Sequence, residues 1–340
     1  MATLADIFTG DGFSVYTLSS AVQKLPYTES IFGSMGIFRN IPVPTTTVAV
    51  EEEQGKLTLV PTTHRSGPGI PHESGKRKVR SFTIPHIQVD DHVTADEVLN
   101  IRAFGSTDVA SGAAQVVARK LEMMRKEVEA TQEYLRLGSI LGVITYPTNS
   151  VTADVNLFTE FDTTQATVNW ALDTVTTNVR GLIQASLRSL RTALGGSIPT
   201  GYIVACGEAF MDVLVNHDLV RADYLQCQAQ YALQQASRIG FGAYRRQFVF
   251  DGVTFIEYPA SILGKAHLTT TCAVMIPLGV DAYQAYIGPS DYPEAAGTLG
   301  QEFYANQWLS EDGKRINLSV QSNYLPLNCR PRAAQYITKT

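Results

Sequence analysis

At 340 residues the chain is long enough to bury a sizeable core, as one elaborated domain or two ordinary ones. With 44% hydrophobic and 17% charged residues it has the composition of a folded protein, which argues against general disorder. A formal net charge of -5 speaks against a protein whose main task is gripping DNA, because that task needs surplus Lys and Arg to displace counterions.

The opening MATLADIFTG has neither a basic n-region nor an apolar h-region, so it does not read as a signal peptide. No apolar run approaches the ~20 residues that span a bilayer. Four cysteines, Cys206, Cys227, Cys272 and Cys329, show no CxxC pair and no His at a zinc-ligand interval, and they read as free thiols in a cytoplasmic protein. Residues 1 to 47 are rich in Thr, Ser, Gly and Pro, with apolar anchors at Leu25, Ile31, Phe32, Ile37 and Phe38. The segment has no period long enough to make its own core, so it is expected to lie along something else. TVAVEEEQGKLTLV, residues 47–60, alternates on both sides of Gln54-Gly55 and reads as a hairpin turning there, with Glu51-Glu52-Glu53 at a solvated tip. Alternation resumes in VRSFTIPHIQV, which makes GPGIPHESGKRKVR (67–80) the tip between two extended arms.

At Thr94-Ala95-Asp96-Glu97 a capping box announces helix. Val109, Ala113, Val116, Leu121, Met124, Val128 and Leu135 recur mostly at intervals of three or four, and no proline intervenes before Tyr146. The pattern predicts a long helix over about 109–137, broken at its start by Gly105 and Gly112 and closed by Gly138 and Gly142. Glu122/Lys126 and Arg125/Glu129 form i,i+4 pairs away from the apolar face. A second helical period runs from Val168 through Leu172, Val175 and Val179 to Leu194, ending at Gly195-Gly196. A strand at 202–206, a helix around 208–216 and a helical stretch over 222–238 follow. FVFDGVTFIEY reads as a hairpin turning at Asp251-Gly252, and AVMIPLG, AYQAYIG, EFYANQWL and KRINLSVQS are further strands. Helix and strand mix without βαβ alternation, so the class is α+β.

The stretch at 67–80 invites three chemical readings. A phosphate loop needs four residues between its glycine and the Gly-Lys, then Ser or Thr; Gly69 to Gly75 encloses five, Pro71 removes a donor, and Arg77 stands where the hydroxyl belongs. His64 and His72 sit eight apart across prolines and glycines, too loose a frame for metal geometry, and no cofactor is expected. Lys76, Arg77, Lys78 and Arg80 lack interleaved aromatics to stack bases. A basic edge on an extended arm suits an acidic surface on a neighbouring copy better. No nucleophile elbow or Cys-His context marks an enzyme.

The order of elements, with LPYTESIFGSMGIF, GKLTLVPTTHRSGPG, KRKVRSFTIPHI, ADEVLNIRAFG, FVFDGVTFIEY, AYIGPSDYPEA and QSNYLPLNCRP at their places, resembles the major capsid proteins of tailed bacteriophages. This is the lambda E-like family, which shares the HK97 fold, and the likeness covers essentially the whole chain. The resemblance implies an N-arm (1–45), an E-loop hairpin (46–91), a P domain (92–146 and 281–328) with the long helix as spine, and an A domain (147–280 and 329–340). It implies an E-loop tip, built from His64, Arg65, Gly67, Gly69, His72, Gly75, Lys76, Arg77, Lys78 and Arg80, that contacts an adjacent subunit. It further implies hexamers and pentamers closing a shell around double-stranded DNA held without sequence-specific contacts and without a membrane. A scaffolding protein on a separate chain, a portal, a maturation protease and a decoration protein are the implied partners. An encapsulin-like compartment is the alternative within the fold, and a metal- or nucleotide-dependent hydrolase the alternative outside it.

Overall fold

The computed structural model describes residues 19, 22, 30–53, 77–94, 96–97, 109–147, 155–226, 246–259, 261–262, 265–266, 268–295 and 297–340. Helix α1 (Ile31–Ser34) and strands β1 (Arg39–Pro42), β2 (Thr47–Glu53), β3 (Arg77–Thr83) and β4 (His86–Thr94) come first. The long helix α2 (Val109–Leu141) follows, then β5 (Val143–Ile144), β6 (Val155–Asn156), α3 (Leu157–Glu160) and β7 (Ala166–Asn169). Next come α4 (Val179–Ala193), β8 (Gly201–Cys206), α5 (Glu208–Asn216) and α6 (Asp218–Gln226). The rest is mainly strand: β9 (Gln247–Phe250), β10 (Val253–Glu257), β11 (Ser261–Ile262), β12 (Lys265–Ala266), β13 (Cys272–Leu278) and β14 (Tyr283–Ile287). The last three are β15 (Tyr304–Leu309), β16 (Arg315–Asn328) and β17 (Gln335–Thr338).

Two sheets carry the architecture. In the five-stranded sheet, the 14-residue β16 is the centre. Along one edge β4 pairs antiparallel with it from Arg315↔Thr94 to Asn323↔His86; along the other, β15 and then β14 pair antiparallel, with β1 parallel beyond β14. The six-stranded sheet has the order β7-β17-β13-β8-β10-β9. One of its faces packs under α4 and α5 around Trp170, Ile183, Val204, Phe210, Phe255 and Met275. The opposite face contributes Ala205, Val274 and Ile276 to a second core shared with Leu137 and Ile140 of α2 and with Phe32 of α1.

Helix α2 forms because Val117, Leu121, Met124, Val128 and Leu135 fall on one stripe, and all are buried. It runs 33 residues, through Gly112 and Gly138, and stops only at Gly142, so the expected end at 137 is four residues early. Burial of Leu137 and Ile140 offsets the ~1 kcal/mol that an interior glycine costs. Gly142 does end it, with φ 83° and no room for a Cβ against the Phe158 ring.

The helical reading of Val168 to Val175 is overturned. Residues 166–169 are strand β7, laid parallel to β17 with Val168 opposite Ile337, and turns lead from it to α4. Asn169 accepts the Ala171 N–H at 2.8 Å, and the backbone N–H groups of Trp170 and Leu172 bond to Thr338 and Lys339, so side-chain and sheet bonds outcompete helix. The helix starts only where Asn178 caps it, accepting from Gly181 at 3.0 Å. Glu51 to Glu53 belong to strand β2 instead of a turn, because β2 pairs with β3: Glu52 stands opposite Lys78 and Glu53 opposite Arg77. The predicted turn at Gln54-Gly55 and the arm beyond it lie outside the described residues, as does the predicted helix past Gln226. Thr94 closes β4, and Asp96 and Glu97 are helical. The hairpin at Asp251-Gly252 forms as expected, with φ 48° and 77° at its two central residues.

Candidate assembly surfaces

Two extended segments without cores of their own are tied to the body. The first is the β2-β3 ribbon. Val48 and Val50 on one strand and Phe82 on the other alternate inward and join Ile84, Tyr134, Leu135, Leu157, Phe161 and Leu325 in a buried cluster. The sequence alternation therefore fixes the ribbon's root, through the two-residue period of side chains in a strand.

Polar contacts lock the same root from the side. Lys78 Nζ lies 2.8 Å from Asp162 Oδ2, and Arg80 Nη2 3.4 Å from the same oxygen. The Arg80 Nε donates to the Glu160 carbonyl, and its guanidinium lies 5.0 Å from the Phe161 ring centroid, which itself stacks on Phe82 at 6.2 Å. The hydrogen bond from Lys78 and its charge, joined by the Arg80 charge, hold the Asp162 carboxyl below the ordinary carboxylate range. Lys78 and Arg80 were expected to face a neighbouring copy; within the single chain both grip Asp162. Arg77 occupies the first position of β3. His64, Arg65, Gly67, Gly69, His72, Gly75 and Lys76 lie outside the described residues.

The second tied segment is α1 and the chain around it. Ile31, Phe32 and Phe38 are buried, Ile37 is half-buried, and Leu25 lies outside the described residues. Ser30 makes no side-chain cap to α1. The cap comes from Glu133 of α2: Phe32 N–H donates to one carboxylate oxygen at 2.8 Å and Gly33 N–H to the other at 3.3 Å. Tyr258 O–H donates at 3.3 Å and Arg136 Nη1 at 3.4 Å to the same carboxylate. The Phe32 ring stacks on Tyr258 with centroids 5.0 Å apart.

Glu133 belongs to a buried polar stripe on α2 made of Arg125, Glu129, Gln132, Glu133 and Arg136. The Arg125/Glu129 pair, expected away from the apolar face, is buried at 2.7 Å, whereas Glu122/Lys126 is on the surface. Arg125 also donates to the Val22 carbonyl and lies 4.8 Å from the Phe303 ring centroid. Arg136 donates to Tyr324 O–H at 2.8 Å and Gln132 to Ser322 at 2.9 Å, so the stripe fastens α2 to β16. Burial raises the Glu302 carboxyl, opposed by Arg136 and Arg125. Of these residues only Arg125 and Glu129 stand out in the sequence, as an i,i+4 pair; Gln132, Glu133, Arg136, Glu302 and Asp162 do not. A trace existed for the stripe: its members interleave with the apolar positions at spacings of one to four.

Among the described residues, no group of three His, Cys, Asp or Glu side chains is gathered as a metal centre, and no helix is long and apolar enough to cross a membrane. Cys206 and Cys272 are buried free thiols, and Cys329, also free, is half-buried.

The family model described as phage major capsid protein E matches residues 14–338. The "Major capsid protein" of Pseudomonas phage KPP10 is 27% identical over 341 residues, covering 95% of each chain. That of Salmonella phage Felix O1 (isolate Felix O1-VT1) is 25% identical over 354 residues, covering 94% of each. A crystal structure assigned as a prophage capsid protein from E. coli CFT073 superposes with a TM-score of 0.60 at 11% identity, covering 96% of this chain and 99% of that one. A chain of the Cyanophage A-1(L) capsid asymmetric unit gives 0.56 at 13% identity, with 91% and 92% covered.

Proposed function

The chain belongs to the phage major capsid protein E family, and from that premise we propose how its parts build a shell. It is a structural subunit of the virion capsid, with the α+β, HK97-like capsid fold. We assign residues 1–45 to an N-arm, 46–91 to an E-loop, 92–146 and 281–328 to a P domain with α2 as its spine, and 147–280 and 329–340 to an A domain.

The observation that carries this reading is the β2-β3 ribbon. Its root is buried in the subunit's own core, and Lys78 and Arg80 are held there by Asp162. Residues 54–76 separate its two strands, and that intervening chain is long enough to cross onto a neighbour. In this reading His64, Arg65, Gly67, Gly69, His72, Gly75, Lys76 and Arg77 make the intersubunit contact, and Lys78 and Arg80 set the angle at which the loop leaves. Heterologous contacts close rings of six and five, and the rings tile the shell. A separate scaffolding protein, a portal, a maturation protease and a decoration protein are the proposed partners. The net charge of -5 suits a container that encloses DNA without binding it by sequence.

Electron microscopy of the expressed chain tests the reading. Shells, tubes or ring-shaped capsomers are expected. A homogeneous monomer at high concentration, unchanged by co-expressed scaffold, would overturn it.

A further inference from the structure

The face of the six-stranded sheet that carries α4 and α5 presents a hole at one end of α4 and a knob at the other. The hole is a hollow of about 370 Å³ between the loop that precedes α4 and the end of α5. Leu172, Val175 and Val213 give it apolar walls, and Asp173, Asp212 and Asp218 bring three carboxylates to its lining. Val175 is 61% exposed. Lys339 pairs with Asp173 and Arg246 with Asp212, but among the described residues no cation pairs with Asp218. His217 also lines the hollow and is 5% exposed. Its Nε2 faces the Thr174 carbonyl at 3.2 Å, and its buried Nδ1 has no partner among the described residues.

The knob follows the C-terminal end of α4. Ile198 is 88% exposed, the most exposed large hydrophobic side chain described. Its loop is stiffened by Arg330, whose Nη1 donates to the Leu194 carbonyl at 2.6 Å and to Ser197 Oγ at 3.2 Å. Arg191 stands in the last turn of α4 and Arg188 one turn before it; both are exposed, and neither has an acidic partner among the described residues. Helix α4, 15 residues and roughly 22 Å long at ~1.5 Å per residue, runs between the loop that lines the hole and the loop that carries the knob.

We propose that the Ile198 loop of one subunit seats in the Leu172–His217 hollow of the next. Ile198 would meet the apolar walls, and Arg191 with Arg188 would face the rim at Asp218. The two halves are complementary in polarity and in charge, and they occupy different ends of one rigid helix. Such a contact is heterologous: each copy gives a knob and receives one, so repetition produces a chain of copies that becomes a ring where the rotation closes, instead of a closed pair. The inference rests on the capsid reading, because it takes a second copy of this chain as the occupant.

Cysteine cross-linking in assembled particles tests it. A Val175→Cys, Ile198→Cys double variant, oxidised and run on a non-reducing gel, is expected to give a ladder of covalent oligomers, whereas either single variant leaves monomer. Where the double variant does not assemble, particles mixed from the two single variants are expected to give a dimer band and nothing larger. As a second arm, Arg191→Asp is expected to lower particle yield at least tenfold, and adding Asp218→Arg to restore most of it. Particles that form normally yet give only monomer after oxidation would overturn the contact while leaving the capsid reading intact. Failure of the wild-type chain to form particles would overturn the capsid reading itself.

Discussion

Phe32 and Glu133 lie 101 residues apart, yet the backbone N–H of one donates to the carboxylate of the other at 2.8 Å inside the protein. A helix cap normally comes from the residue beside the helix; here α1 is capped from the middle of α2. The N-terminal segment is thus fastened by one side chain that also holds Tyr258 and Arg136.

Replacing Glu133 by Ala strands two backbone donors in a buried site and removes one of the partners of Arg136, which keeps Tyr324 and Gln132, and should cost about 3 kcal/mol. Glu133→Gln keeps an acceptor for one N–H and should cost less than half of that. Urea unfolding of unassembled subunits measures both, and equal losses for Ala and Gln would contradict the capping role.

The ribbon root should loosen in acid. Because Asp162 titrates below its ordinary value in the folded chain, its contribution is present at neutral pH and disappears as pH falls through that depressed value, below about 3.8. Hydrogen exchange at residues 77–83 should rise over that window in the wild type. In Asp162→Asn it should already be raised at neutral pH, and an unchanged exchange rate in that variant would count against the lock.

Gly142→Ala should destabilise the subunit by about 1–3 kcal/mol, since alanine must adopt φ 83° and displace the Phe158 ring. Gly297→Ala, also at positive φ but with open space at its Cβ, should cost less. Thermal melts of the two variants side by side check the ordering.

Burial pushes the Cys329 thiol from about 9 up to about 11, against a smaller opposing pull from Arg330. Near pH 8 that leaves roughly a hundredth of the thiolate of an ordinary cysteine, so maleimide labelling of Cys329 should be about a hundredfold slower in the folded chain than after denaturation. Peptide mapping of a timed labelling experiment reads the ratio.

Deleting residues 64–78 should leave far-ultraviolet circular dichroism near that of the wild type and abolish closed shells in micrographs. Normal shells from the shortened chain would remove the loop from the assembly mechanism.

The sequence disclosed whatever has a strong period or a local turn. The Asp251-Gly252 hairpin stands where turn chemistry puts it, because its two strands are adjacent in the chain, and strand β8 and helix α5 stand where their own apolar patterns put them although their partners β10 and β13 are distant in sequence. Val168 was misread because its apolar neighbours match a helical period, and only the distant β17 makes the segment a strand. Arg125 and Glu129 looked like a surface pair because spacing does not reveal which face β16 and Phe303 cover. Asp162 has no sequence signal: a lone carboxylate after a short helix becomes meaningful only when the ribbon lies across it.

Strand β4 continues from the ribbon through Ile84 and Pro85 and is zipped to β16 by nine consecutive pairs. Tension arriving along the ribbon therefore meets that ladder end-on and strains all nine rungs together in shear, since antiparallel hydrogen bonds lie across the strand direction. A peeling load would break them one at a time. The subunit thus holds the β2-β3 ribbon in the orientation where a β-ladder is mechanically strongest.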